Sequence, residues 1–217
     1  MAGSRRLDGR RLYLCCPDRP DLPHFIEATI RGGVDVVQLR EKALEARPLV
    51  ARARLALEVC RAHGVPFVLN DRPDLALELG ADGVHVGQDD APPVLARRIL
   101  GSDALVGLST HDPTQLEASH AEPVDYLSAG PVSPTPTKPG RPGTGLGYVS
   151  EASARATRPV FVTGGVTPET VPAMVEAGGR RFVVVRFLAE ADDPEHRARI
   201  LRRALEESLA AVGGVEA

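Results

Sequence analysis

The chain alternates between two patterns of apolar residues. Short runs rich in Val, Leu and Ile are each followed by a longer stretch in which apolar residues recur every three or four positions. The short runs are typical of β-strands and the longer stretches of amphipathic helices. Several runs are apolar throughout, as expected for parallel strands buried on both faces. The predicted strands are 11–16, 34–39, 66–70, 83–86, 104–109, 125–130, 159–164 and 181–185.

A helical segment follows each predicted strand. The strongest, 47–64, is amphipathic and ends at Gly64, a residue type that is common at helix C-termini. Pro92 and Pro93 suit the first turn of a helix, and Asp112 is a candidate N-cap for the helix that follows the fifth strand. The remaining predicted helical segments are 24–33, 73–80, 150–157, 167–178 and 195–212.

The order of these elements predicts the fold. Eight strand–helix units, spaced by about 20 to 25 residues, predict an α/β protein with a single-domain (β/α)8 barrel, the TIM barrel. The barrel is predicted over 11–212, with 1–10 as a flexible N-terminal extension and 213–217 as a C-terminal tail. The alternative is an open doubly wound sheet. It normally has fewer strands and a glycine fingerprint after the first, whereas here the first strand runs into CCPDRP.

The amino-acid composition indicates which classes of partner the protein is expected to bind. Of the 217 residues, 43% are hydrophobic, 25% charged and 4% aromatic, and the net charge is −3. Without a basic patch or a supply of aromatic side chains, we expect no nucleic-acid partner. The apolar runs are strand-sized, and no apolar h-region of a signal peptide follows the basic N-terminus, so we expect a cytoplasmic protein without membrane contact. Cys15, Cys16 and Cys60 fit neither a zinc site nor a disulfide framework, which predicts buried thiols. The oligomeric state stays open.

Lysine is rare in this chain. Only two of the 26 basic residues are lysines, Lys42 and Lys138. Genome composition explains a general preference for arginine, but the two cations are not interchangeable at a phosphate, so both lysines are candidate functional residues. Lys138 lies in GPVSPTPTKPGRPGTGLG (130–147). A connection of this length in a compact domain predicts a functional loop, here a lid that closes over a site.

The residues just past the predicted strands share a chemical theme. They include four cations, two separated acids and a glycine pair. They are Arg40, Lys42, Lys138, Arg186, Asp71, Asp90, Gly164 and Gly165. In a barrel of this kind the active site lies at these strand ends. Two carboxylates from neighbouring strands suit Mg²⁺, which keeps waters and takes phosphate oxygens. Cations and metal would neutralise a diphosphate, while the glycines let backbone N–H groups approach a second anion.

Each of these residues also has a simple structural interpretation. Asp71 and Asp90 are suited to cap the helices that follow them, and Arg40 and Lys42 would form an ordinary solvated pair. The combination of both acids with nearby cations favours the functional interpretation. A purely structural interpretation also exists for other residues near the strand ends. It predicts that His85 is a packed histidine, that His111 is a loop residue and that Gly164 and Gly165 form a tight turn.

Five segments together resemble the motifs of the thiamine phosphate synthase family. They are VVQLREK, NDRPDLALELGADGVHVGQDD, GLSTH, GPVSPTPTK and VTGGVT, in the family's order and at its spacing. The resemblance extends from RLYL to the last helix. The NDR…GADGVHVGQDD block and the P-T-x-T-K loop are specific, whereas VTGGVT is shared with many phosphate-binding barrels. The resemblance implies a transferase that joins a hydroxymethylpyrimidine diphosphate to a thiazole phosphate, with or without a carboxylate on the thiazole, and releases pyrophosphate.

The resemblance also implies roles for individual residues. Asp71 and Asp90 would hold Mg²⁺ as cofactor, and Gln38 and Ser109 would face the pyrimidine. The residues implied at the diphosphate are Arg40, Lys42, Asn70 and Lys138, which together with Ser109 form the implied catalytic set. The residues implied at the thiazole phosphate are Thr135, Thr137 and Gly165, with Val185 and Arg186 after strand eight. Many members have a serine-containing segment there, where this chain reads VVVRFLAE, so Arg186 either contacts the phosphate or points away.

The implied chemistry agrees with these residue types. The thiazole nitrogen has its own lone pair, so no strong general base is needed. The family is associated with a dissociative, carbocation-like path, in which catalysis is charge stabilisation on the departing diphosphate, positioning and exclusion of water. The competing functions are a thiazole tautomerase-like isomerase, a non-catalytic barrel that binds a phosphate ligand, and a generic phosphosugar enzyme. The first two need no cluster of Asp71, Asp90, Arg40 and Lys42, which favours the synthase.

Overall fold

A computed structural model of the chain describes residues 7–134 and 142–213. Eight parallel strands follow one another in chain order around a closed barrel, and the last strand pairs with the first. The strands are β1 (Leu12–Cys16), β2 (Val36–Leu39), β3 (Phe67–Asn70), β4 (Gly83–Val86), β5 (Leu105–Thr110), β6 (Tyr126–Ala129), β7 (Val160–Thr163) and β8 (Phe182–Val184). The predicted (β/α)8 barrel is confirmed, and the open doubly wound sheet is wrong because this sheet closes on itself.

Helices follow the strands around the barrel. Within the described residues they are α1 (Leu22–Arg31), α2 (Ala46–Ala62), α3 (Pro73–Leu79), α4 (Pro93–Leu100), α5 (Pro113–Ser119), α6 (Gly145–Arg155), α7 (Val171–Glu176), α8 (Arg186–Ala189) and α9 (Pro194–Gly213). The N-cap predicted at Asp112 is confirmed, because its carboxylate accepts a hydrogen bond from the Gln115 backbone N–H at 2.9 Å. In this part of the chain no helix combines the length and apolar character needed to cross a membrane.

The alternation of side chains along the strands separates two apolar cores. On β1, Leu12 and Leu14 face the helices, whereas Tyr13 faces the barrel interior. Inside the barrel the rings of Tyr13, Tyr126 and Phe161 pack together, with centroids 5.3–6.0 Å apart. These large side chains fill the interior, so the barrel is a packed core that leaves room for a ligand only toward one mouth.

Two elements differ from the sequence prediction. Helix α6 begins at Gly145, inside the stretch predicted as loop, because burial of Tyr148 and Val149 outweighs the weak helix propensity of its glycines. The loop after β6 is therefore shorter than 130–147. Helix α8 was not predicted, since a single turn is too short to show a helical periodicity.

The N-terminal residues that are described pack against the barrel. Leu7 is buried in the inner core, and the Arg10 guanidinium donates to the Asp35 carbonyl at 2.8 Å. Contacts with the barrel thus begin before residue 11, although the predicted domain boundaries themselves stay predictions. All three cysteines are buried thiols, as expected.

Candidate active site

A cavity of about 400 Å³ lies at the C-terminal end of the barrel strands. It brings together every predicted site residue that the structure describes. They are Gln38, Arg40, Lys42, Asn70, Asp71, Asp90, Ser109, Gly164, Gly165, Val185 and Arg186. Thr135, Thr137 and Lys138 lie outside the described residues, so their predicted roles stay predictions. The described strand ends converge on one cavity, as expected. The role of each residue in that cavity stays a prediction.

One end of the cavity, which we call the acidic end, comprises Arg40, Lys42, Asn70, Asp71 and Asp90. The Lys42 ammonium lies 2.7 Å from Asp71 Oδ2 and 3.7 Å from Asp90 Oδ1, so one cation bridges two carboxylates. The three residues follow the adjacent strands β2, β3 and β4. Among the described residues, the Arg40 guanidinium has no carboxylate within ion-pair distance. Arg40 therefore lines this end of the cavity without pairing with either acid.

The backbone holds both acids in place. Asp71 has a φ of 60°, the only positive φ of a non-glycine residue in the described parts of the chain, and its N–H donates to the His85 carbonyl at 2.9 Å. Asp90 Oδ2 accepts from the Gly87 N–H at 2.9 Å. A Cβ on Gly87 would lie 2.7 Å from that oxygen, so glycine permits the approach. An uncommon backbone conformation retained beside a cavity is a feature of functional sites.

Neither acid caps a helix, which makes the capping alternative wrong. The residue that flanks the start of α3 is Arg72, and the one that flanks α4 is Pro92. Neither helix has a side-chain hydrogen bond at its N-terminus. The carboxylates of Asp71 and Asp90 face Lys42 and the cavity instead.

The two carboxylates influence each other's ionisation. Burial raises the pKa of Asp71 above its ordinary value, the nearby Asp90 carboxylate adds to the rise, and Lys42 offsets only part of it. At Asp90 burial acts in the same direction, but it is outweighed by hydrogen bonds with Asp71 and the Gly87 N–H and by Lys42, so the pKa of Asp90 is lowered. The two carboxyl groups are therefore coupled, and the pair titrates as a unit.

This set of donors fits a magnesium ion. Mg²⁺ is commonly held by one or two carboxylates while water and substrate phosphate complete its octahedron. Asp71 and Asp90 supply two carboxylates, and Lys42 between them shows that the position favours a cation. Within the described residues no group of three or more His, Cys, Asp or Glu side chains is arranged to hold a metal. Two carboxylates alone would leave positions on a bound Mg²⁺ for water and for phosphate oxygens.

The floor of the cavity is polar and buried. Gln38 Nε2 donates to the Tyr13 hydroxyl at 2.7 Å, and Ser109 Oγ lies 2.9 Å from His85 Nε2. His85 is buried inside β4 and also lies 3.1 Å from the Tyr126 hydroxyl, so the prediction of a packed histidine is confirmed. His111, predicted as a loop residue, follows β5 directly, and its Nδ1 contacts the Gly130 carbonyl.

The opposite end, which we call the glycine end, comprises Gly164, Gly165, Arg186, Phe187 and Arg197. Gly164 and Gly165 follow β7 with φ values of 95° and 77°, a conformation that favours glycine. A Cβ on Gly164 would lie 2.5 Å from Pro131 Cβ, so this turn packs closely against the segment after β6. Arg186 is exposed and lines the cavity. Its contact with a phosphate stays a prediction.

Sequence reasoning missed Phe187 and Arg197 at this end. The guanidinium carbon of Arg197 lies 5.0 Å from the centroid of the Phe187 ring, a cation–π contact. Phe187 belongs to the single-turn helix α8, and Arg197 is one of many arginines on α9. No motif marks either residue, because only the packing of α9 beside α8 brings Arg197 to the cavity.

Fold and site together define a class. A (β/α)8 barrel with paired carboxylates and cations at one end of its cavity, and a glycine turn after strand seven with a short extra helix after strand eight, is typical of enzymes that act on phosphorylated substrates. Comparison with known proteins makes the assignment specific. The sequence model of the family described as thiamine monophosphate synthase matches residues 12–188.

Individual relatives agree with the family match. A thiamine-phosphate synthase from Mycobacterium sp. (strain KMS) is 48% identical over 207 residues, covering 89% of this chain and 92% of that one. One from Acidothermus cellulolyticus is 48% identical over 193 residues, with coverages of 87% and 91%. The solved structure of thiamine phosphate pyrophosphorylase from Pyrococcus furiosus has a TM-score of 0.84 at 25% identity, covering 95% of this chain and 98% of that one. The chain belongs to the thiamine monophosphate synthase family.

Proposed function

We propose that this protein is a thiamine phosphate synthase, a transferase that joins 4-amino-5-hydroxymethyl-2-methylpyrimidine diphosphate to 4-methyl-5-(2-phosphoethyl)thiazole and releases pyrophosphate. With the carboxylated form of the thiazole, CO₂ would be released as well. Family membership supports this activity. Within the molecule, one observation supports the proposal: a single cavity has two chemically different ends, each with cationic side chains, joined across a polar floor. The acidic end suits the diphosphate, the floor the pyrimidine, and the glycine end the thiazole phosphate.

The reaction requires one bond to break and one to form at the same carbon. The bond between the pyrimidine methylene and the diphosphate oxygen breaks, and its electron pair leaves with pyrophosphate. The thiazole nitrogen then donates its lone pair to form the C–N bond. The electron-rich aminopyrimidine spreads the positive charge of the intermediate, which favours a dissociative path. The nucleophile has no proton to lose, and the carboxylates at the acidic end are paired with Lys42 rather than placed as bases.

The acidic end would stabilise the charge that grows on the leaving group. Arg40 and Lys42 would contact its oxygens, with Asn70 as an uncharged hydrogen-bond donor. Lys42 is half exposed on a flexible stem, so its ammonium can reach a ligand as well as the carboxylates. Mg²⁺ bound by Asp71 and Asp90 would supply Lewis-acid neutralisation of the diphosphate.

The rest of the cavity would position the second substrate and exclude water. The backbone at Gly165 and at Val185, with Arg186, would bind the thiazole phosphate. Thr135 and Thr137 would add hydroxyls to that phosphate. The loop that carries them would close as a lid and bring Lys138 onto the diphosphate. A closed site protects a reactive cation from attack by water.

The acidic end argues against the rival activities. A thiazole tautomerase-like isomerase has no diphosphate to hold, and a non-catalytic phosphate-binding barrel needs no metal. Neither would require Lys42 to bridge Asp71 and Asp90 beside a second cation, Arg40, that forms no ion pair among the described residues. Small-molecule substrates follow from the family. A cytoplasmic location without nucleic-acid or membrane partners stays a proposal that rests on sequence composition.

The deciding experiment incubates the purified protein with both substrates, with and without Mg²⁺. We expect equal amounts of thiamine phosphate and pyrophosphate, formed only when the metal is present. Absence of both products under every condition would contradict the synthase. Rearrangement of a thiazole phosphate in the absence of the pyrimidine substrate would instead support the isomerase.

A further inference from the structure

A continuous series of hydrogen bonds crosses the barrel interior at the floor of the cavity, and all of its members except Tyr126 line the cavity. It runs from Gln38 Nε2 to the Tyr13 hydroxyl over 2.7 Å, on to the Tyr126 hydroxyl over 3.0 Å, and then to His85 Nδ1 over 3.1 Å. The second ring nitrogen of His85 lies 2.9 Å from Ser109 Oγ. Every member is buried, and Gln38 and Ser109, at the two ends, line the cavity. The chain thus connects two groups that face the same ligand.

The Gln38 amide at one end determines the direction in which these hydrogen bonds are donated. An amide nitrogen can only donate, so Tyr13 accepts from Gln38 and passes its own hydrogen to Tyr126. Tyr126 then donates to His85 Nδ1, which places the ring hydrogen on Nε2, where it is donated to Ser109. In the opposite direction, Tyr13 would accept twice, and its hydrogen would have no acceptor among the described side chains. Leaving a buried hydroxyl unsatisfied is costly, so the first direction is favoured.

This direction makes Ser109 a donor toward the cavity. Its oxygen accepts from His85 and also from the Ser128 hydroxyl, 3.3 Å away. With both lone pairs engaged, the hydrogen of Ser109 is left for a ligand. At the opposite end of the chain, Gln38 Oε1 accepts from the Cys15 thiol at 3.3 Å, which supports the amide orientation and leaves a second lone pair. The floor thus offers one donor and one acceptor, the complement of a ring nitrogen and an amino group.

We propose that Tyr126 is a positioning residue that holds His85 with its hydrogen on Nε2 and thereby commits Ser109 to donate to a ring nitrogen of the aminopyrimidine. This inference rests on the proposed function, which supplies the aminopyrimidine. If its hydrogen bonds were not fixed, the Ser109 hydroxyl would rotate, and for part of the time it would direct an oxygen lone pair at the ring nitrogen. The two lone pairs would repel each other. A committed donor avoids that loss and needs no reorganisation when the substrate binds. Tyr126 lies below the floor and is not among the residues that line the cavity.

The first test measures which ring nitrogen of His85 carries the hydrogen. In full-length protein labelled with ¹⁵N-histidine, long-range ¹H–¹⁵N spectra distinguish the two neutral ring forms, and a His85→Asn variant identifies the signals of His85 among the six histidines. We expect the hydrogen on Nε2 in the wild type and a mixture of forms in Tyr126→Phe. A wild-type His85 with its hydrogen on Nδ1, or with both nitrogens protonated, would overturn the proposal. This measurement needs no substrate.

The second test separates a positioning role from a structural one. Tyr126→Phe should raise KM for the pyrimidine diphosphate by about tenfold, the loss expected for one well-made hydrogen bond, and leave KM for the thiazole phosphate unchanged. The matched control is Tyr148→Phe, which removes a tyrosine hydroxyl on α6, outside the hydrogen-bond chain, and should change neither value. Unchanged KM for both substrates in Tyr126→Phe, or an equal rise in both, would overturn the proposal.

Failure of the positioning role and failure of the proposed function give different experimental results. If the wild type forms thiamine phosphate but His85 carries its hydrogen on Nδ1, the positioning role falls and the proposed function stands. If the wild type forms no product, the proposed function falls. Calorimetric binding of the pyrimidine diphosphate to the wild type and to Tyr126→Phe then replaces KM, and equal affinities would overturn the positioning role as well.

Discussion

The acidic end and the glycine end of the cavity are built from different parts of the chain. At the acidic end, Lys42, Asp71 and Asp90 come from three adjacent strand ends and contact one another. At the glycine end, the close approach is made by the backbone of Gly164 and Gly165, and the cations Arg186 and Arg197 form no ion pair within the described residues. One end is a cluster of side chains joined by ion pairs, and the other combines a backbone turn with two cations that form no ion pair in the described parts of the chain.

This difference predicts how each end responds to substitution. In the side-chain cluster, removing one charge leaves the others uncompensated in a partly buried site, so single substitutions have large effects. A backbone site donates N–H groups whatever side chains its residues carry, so neighbouring side chains adjust affinity rather than determine it.

The largest expected effect is at the acidic end. Asp71→Asn should lower turnover by about 10²–10³-fold, the usual loss of a key electrostatic group, and raise the Mg²⁺ concentration needed for half-maximal activity. The matched control is Asp74→Asn, an exposed acid three residues along that pairs with Arg72. It should leave the Mg²⁺ titration unchanged. An unchanged titration in Asp71→Asn would contradict a ligand role for this residue.

Removing the lysine of the loop after β6 should have the next largest effect. Lys138→Ala should lower kcat by about 10²-fold with an unchanged melting temperature, because a charge that acts on the leaving group contributes to turnover and not to folding. Arg141→Ala, in the same loop and without an assigned role, is the control. Turnover near that of the wild type in Lys138→Ala would remove this lysine from the catalytic set.

A smaller effect is expected at the glycine end. Arg197→Ala should raise KM for the thiazole phosphate by about tenfold, the loss of one charge-assisted contact, and leave KM for the pyrimidine diphosphate unchanged. Arg199→Ala is the matched control, because Arg199 lies on the same helix, is half exposed and pairs with Glu195. A rise in KM for the pyrimidine substrate instead would contradict the division of the cavity into two ends.

The smallest effect is a shift in the pH dependence of metal binding. Burial raises the pKa of Asp71 and Lys42 lowers it, so Lys42→Met should raise the pKa of Asp71 further. A protonated carboxyl binds Mg²⁺ poorly. Affinity measured without substrates should therefore be lost at a higher pH in Lys42→Met than in the wild type, with Lys42→Arg as the charge-retaining control. A shift of the loss to lower pH would show that Lys42 does not stabilise the Asp71 carboxylate.

Sequence patterns were sufficient for the framework of the site. The eight apolar runs predict the eight strands to within about two residues, because a parallel barrel strand is buried on both faces and its sequence shows this locally. Because the residues after parallel strands meet at one end of a barrel, Lys42, Asp71 and Asp90 were predictable as neighbours. The start of α6 was not, since it depends on burial of Tyr148 against distant residues rather than on local propensity.

By itself, the sequence determined the order of the elements, the closed barrel and the identity of many of the polar residues around the cavity, because these follow from local apolar periodicity and from the strand ends. Only the tertiary structure decided which groups touch. It paired Lys42 with both acids, brought Arg197 from α9 to Phe187, and joined Gln38 to Ser109 through Tyr13, Tyr126 and His85. The physical reason is that hydrogen bonds and ion pairs depend on distances of a few ångströms between residues far apart in the chain, which periodicity does not encode.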